Sequence, residues 1–401
     1  MTVFRYSGRT KTGAHKKGII EAPNRKVAID KLRQQGINAR DMQESNSILH
    51  KNIALSTKVK HQDFVIYCRQ YATLIRAGVS VVEATHILGE QTRNKTLKRA
   101  LMQVEEDLRS GTSFSNAAAK HPKVFPVLFI NMMRAGEATG NIDDTLERLA
   151  GTLEKQYNIK KKVQSAMTYP AVLMVLTMAV GMFLMVFIVP TFMATFKDMD
   201  LQLPLITLIV VGISDWLIHY WYIVILFLVI LVVGFNYFYK NNKDFHYLLN
   251  VMLLRMPVFG QLLQKNVIAR MTRTLASLFS SSVPILQALT IVEKVAGNPV
   301  IGKVVHEAHD NLEKGGTLSE PLEKSWLFPP LVTQMTSIGE RTGSLDYMLE
   351  KIADFYEDEV DRAVDTLKSL VEPVMILVLA LVVGVIVAAI FMPMFQLYEN
   401  M

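Results

Sequence analysis

Between Ala171 and Phe196 the chain carries no ionisable side chain, and a second run of the same kind lies between Pro373 and Leu397. At about 1.5 Å per residue, either run is long enough to cross a hydrocarbon layer about 30 Å thick as a helix, which satisfies its own backbone hydrogen bonds where no water is present. A third apolar region, Leu205 to Tyr239, is interrupted by Asp215 and His219 around Trp216. It reads as a short interfacial or membrane-packed stretch followed by a span from about Tyr220 to Phe238. Trp216, Tyr220, Trp221 and Tyr222 then mark one water boundary, and Tyr237 and Tyr239 the other. Composition agrees, since 50% of the 401 residues are apolar and 20% charged, against roughly a quarter charged in soluble proteins. The single cysteine, Cys68, excludes an intramolecular disulfide framework and a Cys-based zinc or iron–sulfur site. Met1 to Lys17 mixes charges through its apolar residues, so no cleaved secretory signal is expected there.

Charge orients the three spans. Residues 1–170 hold 28 basic and 15 acidic side chains, with Lys160, Lys161 and Lys162 just ahead of the first span. The loop from Lys197 to His219 has one base against Asp198, Asp200 and Asp215, and the tail holds only Glu399. Lys240 and Lys243 follow the second span. The expected topology places the N-terminus and residues 240–372 in the cytoplasm, with the loop and C-terminus outside. The bases are scattered and not striped with aromatics, so the surplus of seven positive charges signals topology and no nucleic-acid partner is expected.

The chain is also written twice. Ala72, Leu74, Val79 and Ala84 match Ala276, Leu278, Val283 and Ala288 at an offset of 204, and Leu108, Gly111 and Ser115 match Leu312, Gly315 and Ser319. At an offset of 203, Phe125-Pro126 matches Phe328-Pro329, and Gly136-Glu-Ala-Thr-Gly140 matches Gly339-Glu-Arg-Thr-Gly343. The match continues into the spans, where Pro170, Gly181, Pro190 and Phe192 correspond to Pro373, Gly384, Pro393 and Phe395. Two parallel copies, each a soluble segment followed by one span, require a further crossing between them, and the middle span supplies it.

Helical spacing of Phe64, Tyr67, Tyr71, Leu74 and Ile75 recurs in Ile268, Met271, Leu275, Leu278 and Phe279, and the breaks predict six short helices per copy. The fold class is mainly α, a polytopic membrane protein with two homologous cytoplasmic six-helix bundles and a small N-terminal α+β segment. Residues 1–44 form that segment, with strands at Val3–Ser7, Gly18–Glu21 and Ile37–Met42 around a helix from Asn24 to Gln35, and 45–60 a linker. The first bundle takes 61–169, the first span 170–196, an extracytoplasmic loop with an interfacial helix 197–219, and the second span 220–239. The second bundle takes 240–372, the third span 373–397, and a tail 398–401.

Chemistry is sparse. Gly297 to Lys303 spells most of a phosphate loop, but Val304 stands where a Ser or Thr should hold magnesium and Pro299 removes a backbone donor. His306 and His309 are three apart beside Asp310 and Glu313, one residue short of the zinc-protease spacing, and read as a solvated helix face. Asp143, Asp144 and Glu147 offer oxygen ligands for calcium at an interface, or simply suit a helix N-terminus. No acid or base lies inside 171–196 or 374–397, which disfavours a proton relay or ion-coupled carrier. Ala380, Gly384 and Ala388 form a small-residue stripe, and Gly181 offers the same close approach in the first span. In the duplicated segment, the glycines can end one helix and begin the next. Glu137 or Glu340 between them can pair with a basic residue of a partner or cap a neighbouring helix.

These residues resemble the type II secretion F family, the polytopic inner-membrane platform protein of type II secretion systems, type IV pili and competence pseudopili. The resemblance covers essentially the whole chain. It rests on the paired segments Gly136 to Asp143 and Gly339 to Asp346, the Tyr169-Pro170 and Glu372-Pro373 entries, and the Phe4-Arg5-Tyr6 start followed by Gly36. It implies a non-enzymatic protein without cofactor or resident metal, whose cytoplasmic domains meet a hexameric assembly ATPase. Its spans would help draw pilin or pseudopilin subunits from the bilayer beside other inner-membrane assembly proteins and further copies of itself. On that footing Gly136, Glu137, Gly140, Gly339, Glu340 and Gly343 are the candidate contacts with the ATPase or between bundles. Pro170, Gly181, Pro190, Pro373, Ala380, Gly384, Ala388 and Pro393 are the candidates for membrane-helix entry and packing. The competing readings are a transporter or channel subunit and a membrane-tethered signalling adaptor.

Overall fold

In a computed structural model, residues 2–10, 15–22, 25–34, 37–44, 58–198 and 203–399 are described. Most of the expected 45–60 linker, residues 199–202 of the loop and the last two of the tail lie outside them. At the N-terminus, strands β1 (Thr2–Thr10), β2 (His15–Ala22) and β3 (Ile37–Glu44) pair antiparallel in the order β2-β1-β3, each longer than the alternation suggested. Helix α1 (Arg25–Gln34) buries Ala28 and Leu32 against Tyr6 of β1, a core of its own.

The first bundle consists of α2 (His61–Arg76), α3 (Val81–Gln91), α4 (Lys95–Arg109), α5 (Phe114–Ala119), α6 (Val127–Thr139) and α7 (Ile142–Phe183). Apolar residues at helical spacing bury the inner face of α2, and the core is aromatic. Phe129 touches Phe64, Tyr67, Phe114 and Phe125 at ring-centroid distances of 5.3 to 6.3 Å. Cys68 is fully buried in this core. The second copy repeats the six as α11 (Phe259–Ser280), α12 (Ile285–Val295), α13 (Pro299–Glu313), α14 (Ser319–Lys324), α15 (Pro330–Thr342) and α16 (Leu345–Glu399). It lacks the aromatic cluster and relies on aliphatic residues such as Ile268, Leu278, Val292, Ile301 and Ile352. Ahead of it stands α10 (Lys243–Arg255), capped by the Asn242 side chain, which accepts from the Asp244 and Phe245 amides.

Among the described residues, three helices are long and apolar enough to cross a membrane. Two of them are the last helices of the bundles, since α7 and α16 run on through Pro170 and Pro373 without a break. Downstream of α7, Pro190 has no N–H for the carbonyl four residues back, and the preceding turn, Leu184–Ile188, widens into π geometry before α8 (Val189–Asp198). The middle region divides where the sequence placed the start of its span. Helix α9 (Leu205–Asn241) is two helical pieces joined across a kink at Tyr220, whose φ of −121° and ψ of 16° are not helical. Of the two roles expected for the first piece, the structure shows packing. Thr207, Val210 and Ser214 share one face. Thr207 Oγ1 donates to the Ala389 carbonyl at 2.7 Å, Ser214 Oγ donates to the Met185 carbonyl, and Val210 is buried with Val189, Ile386 and Ile390. Beyond the kink α9 leaves this cluster, and Ile223 to Val233 are exposed apart from Val224.

Removing the central aromatic ring, Phe129→Ala, is expected to cost about 3–5 kcal/mol. The first bundle should then become protease-sensitive at a temperature where wild-type chain in detergent resists, while Val229→Ala, on the exposed half of α9, leaves that temperature unchanged.

Candidate functional site

The duplicated Gly-Glu-x-Thr-Gly segments close α6 and α15. Gly140 and Gly343 take left-handed backbone angles, φ +75° and +70°, which an L side chain resists, and end these helices within one residue. In the second copy the Ser344 amide donates back to the Gly339 carbonyl at 3.0 Å. The threonines, Thr139 and Thr342, donate from Oγ1 to the carbonyls of Ala135 and Ile338 one turn back. The first glycines have a different task. A Cβ at Gly136 would lie 2.9 Å from Thr145 Oγ1, and one at Gly339 would lie 2.9 Å from the Leu345 Cα. Each glycine therefore lets the next helix, α7 or α16, fold back against the one it ends.

Both carboxylates turn inward. Glu137 accepts from the Ser115 amide at 3.2 Å and from its hydroxyl, at the start of α5. Glu340 accepts from the amides of Leu318 and Ser319 and from the Ser319 hydroxyl, the last at 2.7 Å, at the start of α14. A helix of six residues has too few internal bonds to hold itself, and an acid at its N-terminus satisfies amides that would otherwise lack partners. Of the two roles left open by the sequence, capping is the one these side chains perform within their own bundles.

A second duplicated constellation escaped the sequence reading. Arg69 of α2 bonds Glu147 and Glu154 of α7, two turns apart on one face. Its counterpart Arg273 of α11 reaches Glu350, Asp354 and Glu357 of α16. Bonding to Glu154 chiefly, against some burial, raises the Arg69 guanidinium and holds Glu154 below its ordinary value. Burial would lower Arg273, but Glu357 and Asp354 outweigh it and the net shift is upward. Burial likewise opposes the ionised form of Asp354, and bonds from Arg273 and Lys155 overcome it. Each clamp fastens a bundle's first helix to the helix that continues into the membrane. The signal was present: the arginines share the offset of 204, and Glu147 with Glu154 repeats as Glu350 with Glu357 at 203.

The type II secretion system protein F domain profile matches this chain twice, at residues 67–190 and 271–393, offsets of 204 and 203 that coincide with the internal repeat, and its N-terminal domain profile matches 1–43. The chain belongs to the type II secretion system F family. Along its whole length it is 38% identical to a type IV pilus assembly protein PilC of Thermus thermophilus, covering 99% of this chain and 98% of that one. It is 36% identical to PilC of Myxococcus xanthus, over 98% and 94% of the two chains. It is 30% identical to the type II secretion system protein F of Pseudomonas aeruginosa, over 100% and 99%.

In this family member the other candidate ligands are engaged elsewhere or exposed. Glu147 is held by Arg69 and lies 3.5 Å from Arg76, which also approaches Asp144 at 4.0 Å, so arginines face two of the three acids considered for calcium, and Asp143 is exposed. His309, Asp310 and Glu313 have ligand atoms within 4.8 Å of one another on the surface of α13. The phosphate-loop look-alike is a helix start, with Asn298 capping the Val300 amide at 2.9 Å. In the spans, Gly181 is buried, and a Cβ there would meet Val382 Cγ1 at 3.3 Å. Pro393 is buried, whereas Ala380, Gly384 and Ala388 face outward; the packed face of α16 is Ile386, Ala389 and Ile390.

Gly339→Ala, which drives a Cβ into backbone, should lower the melting temperature, while Gly384→Ala, with nothing within 4 Å, should not. Glu137→Ala should cost about 1–2 kcal/mol by uncapping α5. Acid should loosen both clamps. Carboxylates depressed on folding contribute stability that is complete above their unfolded values, 4.5 for Glu154 and 3.8 for Asp354, and lost as pH falls through the folded ones. A melting temperature flat from neutrality to about pH 5 and falling below it is expected. Glu154→Gln with Asp354→Asn should flatten the fall, modestly because both groups keep solvent contact.

Proposed function

We propose that this protein is a non-enzymatic platform of the inner membrane that couples a cytoplasmic assembly ATPase to the insertion of pilin or pseudopilin subunits in pilus assembly or type II secretion. The single observation that carries the reading, beside the names of the relatives, is that α7 and α16 are each both the last helix of a bundle and a membrane span. At about 1.5 Å per residue the 55 residues of α16 make a rod of about 80 Å. A displacement imposed on a bundle is thereby a displacement of a membrane helix, with the arginine clamps preventing slip between them. The proposed orientation keeps the N-terminus and both bundles in the cytoplasm, where an ATPase is found, and the C-terminus outside. Lys160, Lys161 and Lys162 ahead of the first span support it.

The Gly136 to Gly140 and Gly339 to Gly343 turns are proposed to serve the ATPase contact through the surfaces they shape, with Glu137 and Glu340 acting as positioning residues. A carrier or channel is disfavoured because the packed faces of the spans are apolar apart from hydroxyls such as those of Thr207 and Ser214, and no acid or base lies inside 171–196 or 374–397.

Deleting the gene in its native host should abolish surface filaments or secretion, and the intact chain should restore them. Glu137→Gln should retain assembly while Glu137→Lys reduces it and weakens co-purification of the ATPase. Undiminished filaments and secretion in the deletion strain, together with solute flux through purified protein in liposomes, would reject the platform reading in favour of a transporter.

A further inference from the structure

Because the two bundles are copies, every surface on one has a counterpart on the other, and a two-fold seam between them would use each contact twice with the partners exchanged. This seam does not. Thr152 Oγ1 meets Ser277 Oγ at 2.6 Å, Gln156 Nε2 donates to Thr274 Oγ1 at 3.4 Å, and Gln287 Nε2 donates to Asn131 Oδ1 at 3.2 Å. All three run from α6 and α7 of the first copy to α11 and α12 of the second. By the repeat register their exchanged counterparts are Phe355 with Thr73, Glu359 with Gln70, and Gln334 with Glu83, and none of these pairs is bonded. Phe355 is 43% exposed and Thr73, Gln334 and Glu83 are exposed as well. The seam is therefore heterologous. It leaves one face of each kind bare: the α15/α16 face of the second copy and the α2/α3 face of the first.

We infer that the bare α15/α16 face binds the bare α2/α3 face of a second copy of this chain, repeating between chains the seam already made within one. The charges on the long helices favour this pairing over the others. Inside the chain Lys155 pairs with Asp354 and Glu357, each at 3.1 Å, and Lys162 pairs with Asp361. In the repeat register the two lysines become Asp358 and Asp365, while the acids they face become Gly151, Glu154 and Asn158. Where the donors turn acidic the acceptor keeps one acid of three, Glu154, and that one is bonded to Arg69. The same two acids would face Asp354 and Asp361 if the second copy docked on another second copy's α11/α16 side, and would face each other in a symmetric α16-to-α16 contact. Exposed apolar side chains follow the same division, with Ile338 and Phe355 on one bare face and Ile66 on the other. The inference goes beyond the platform reading and holds whatever the filament or secreted client.

Disulfide trapping in the full-length chain tests it, in a Cys68→Ala background that removes the only native thiol. A chain carrying Thr73→Cys and one carrying Phe355→Cys, with different tags, are co-expressed and oxidised in native membranes. A covalent species of twice the monomer mass bearing both tags is expected. A third chain with both Thr152→Cys and Ser277→Cys should close within the monomer and reports that the background folds. If that internal bond forms while the 73–355 pair yields no dimer, or if Phe355→Cys chains link to themselves as readily as to Thr73→Cys chains, the heterologous interface is wrong.

Discussion

Lipid offers a peptide group no hydrogen-bond partner, and this one constraint shapes the molecule well outside the membrane. A chain that must cross as helix has a stiff element ready at each boundary. Here that element is not capped and restarted at the surface but extended into the soluble bundle as α7 and α16. A proline inside each leaves the helix whole, since neighbouring turns keep their bonds and one ring costs less than a broken span. The bundles are thus organised around rods whose direction the bilayer sets.

Two devices then fix a bundle to its rod. The arginine clamps act side by side along the helices, with Arg69 or Arg273 spanning two turns of the facing surface. The glycine turns act end on, with a left-handed residue stopping the preceding helix and a missing side chain admitting the rod beside it. Neither device uses an apolar side chain, so each sets orientation more than it adds core. The second clamp has an extra acid, Asp354, which also receives Lys155 from the other copy, so the fastening of one bundle is tied to the packing of the two together.

The mainly helical class, the six helices per copy and the three apolar helices were legible because periodicity, charge depletion and repetition are local or register properties. The division of Leu205–Asn241 at Tyr220 was legible from Asp215, His219 and the aromatics around them, but the partners of its first half were not. The packing of Thr207 and Ser214 depends on carbonyls far along the chain, which no local pattern marks. The repeated acid stood out in the sequence but its direction stayed open, because whether Glu137 points outward or at the start of α5 is decided by how α6 lies over α5. The clamp arginines were hidden for the opposite reason. Lone charges on amphipathic helices look solvated until the same register is seen to carry acids on another helix.

Beyond the kink α9 meets α10 only at its end, where Phe235, Phe238 and Tyr239 touch Phe245 and His246, and from Ile223 to Val233 every residue but Val224 is exposed. No shape need be matched there, so a substitution that stays oily leaves packing untouched, and a change in the number of residues alters only how the helix leans. That stretch is free to drift in sequence while its span is held to the thickness of the host bilayer, making it the part of the protein that records which membrane it lives in.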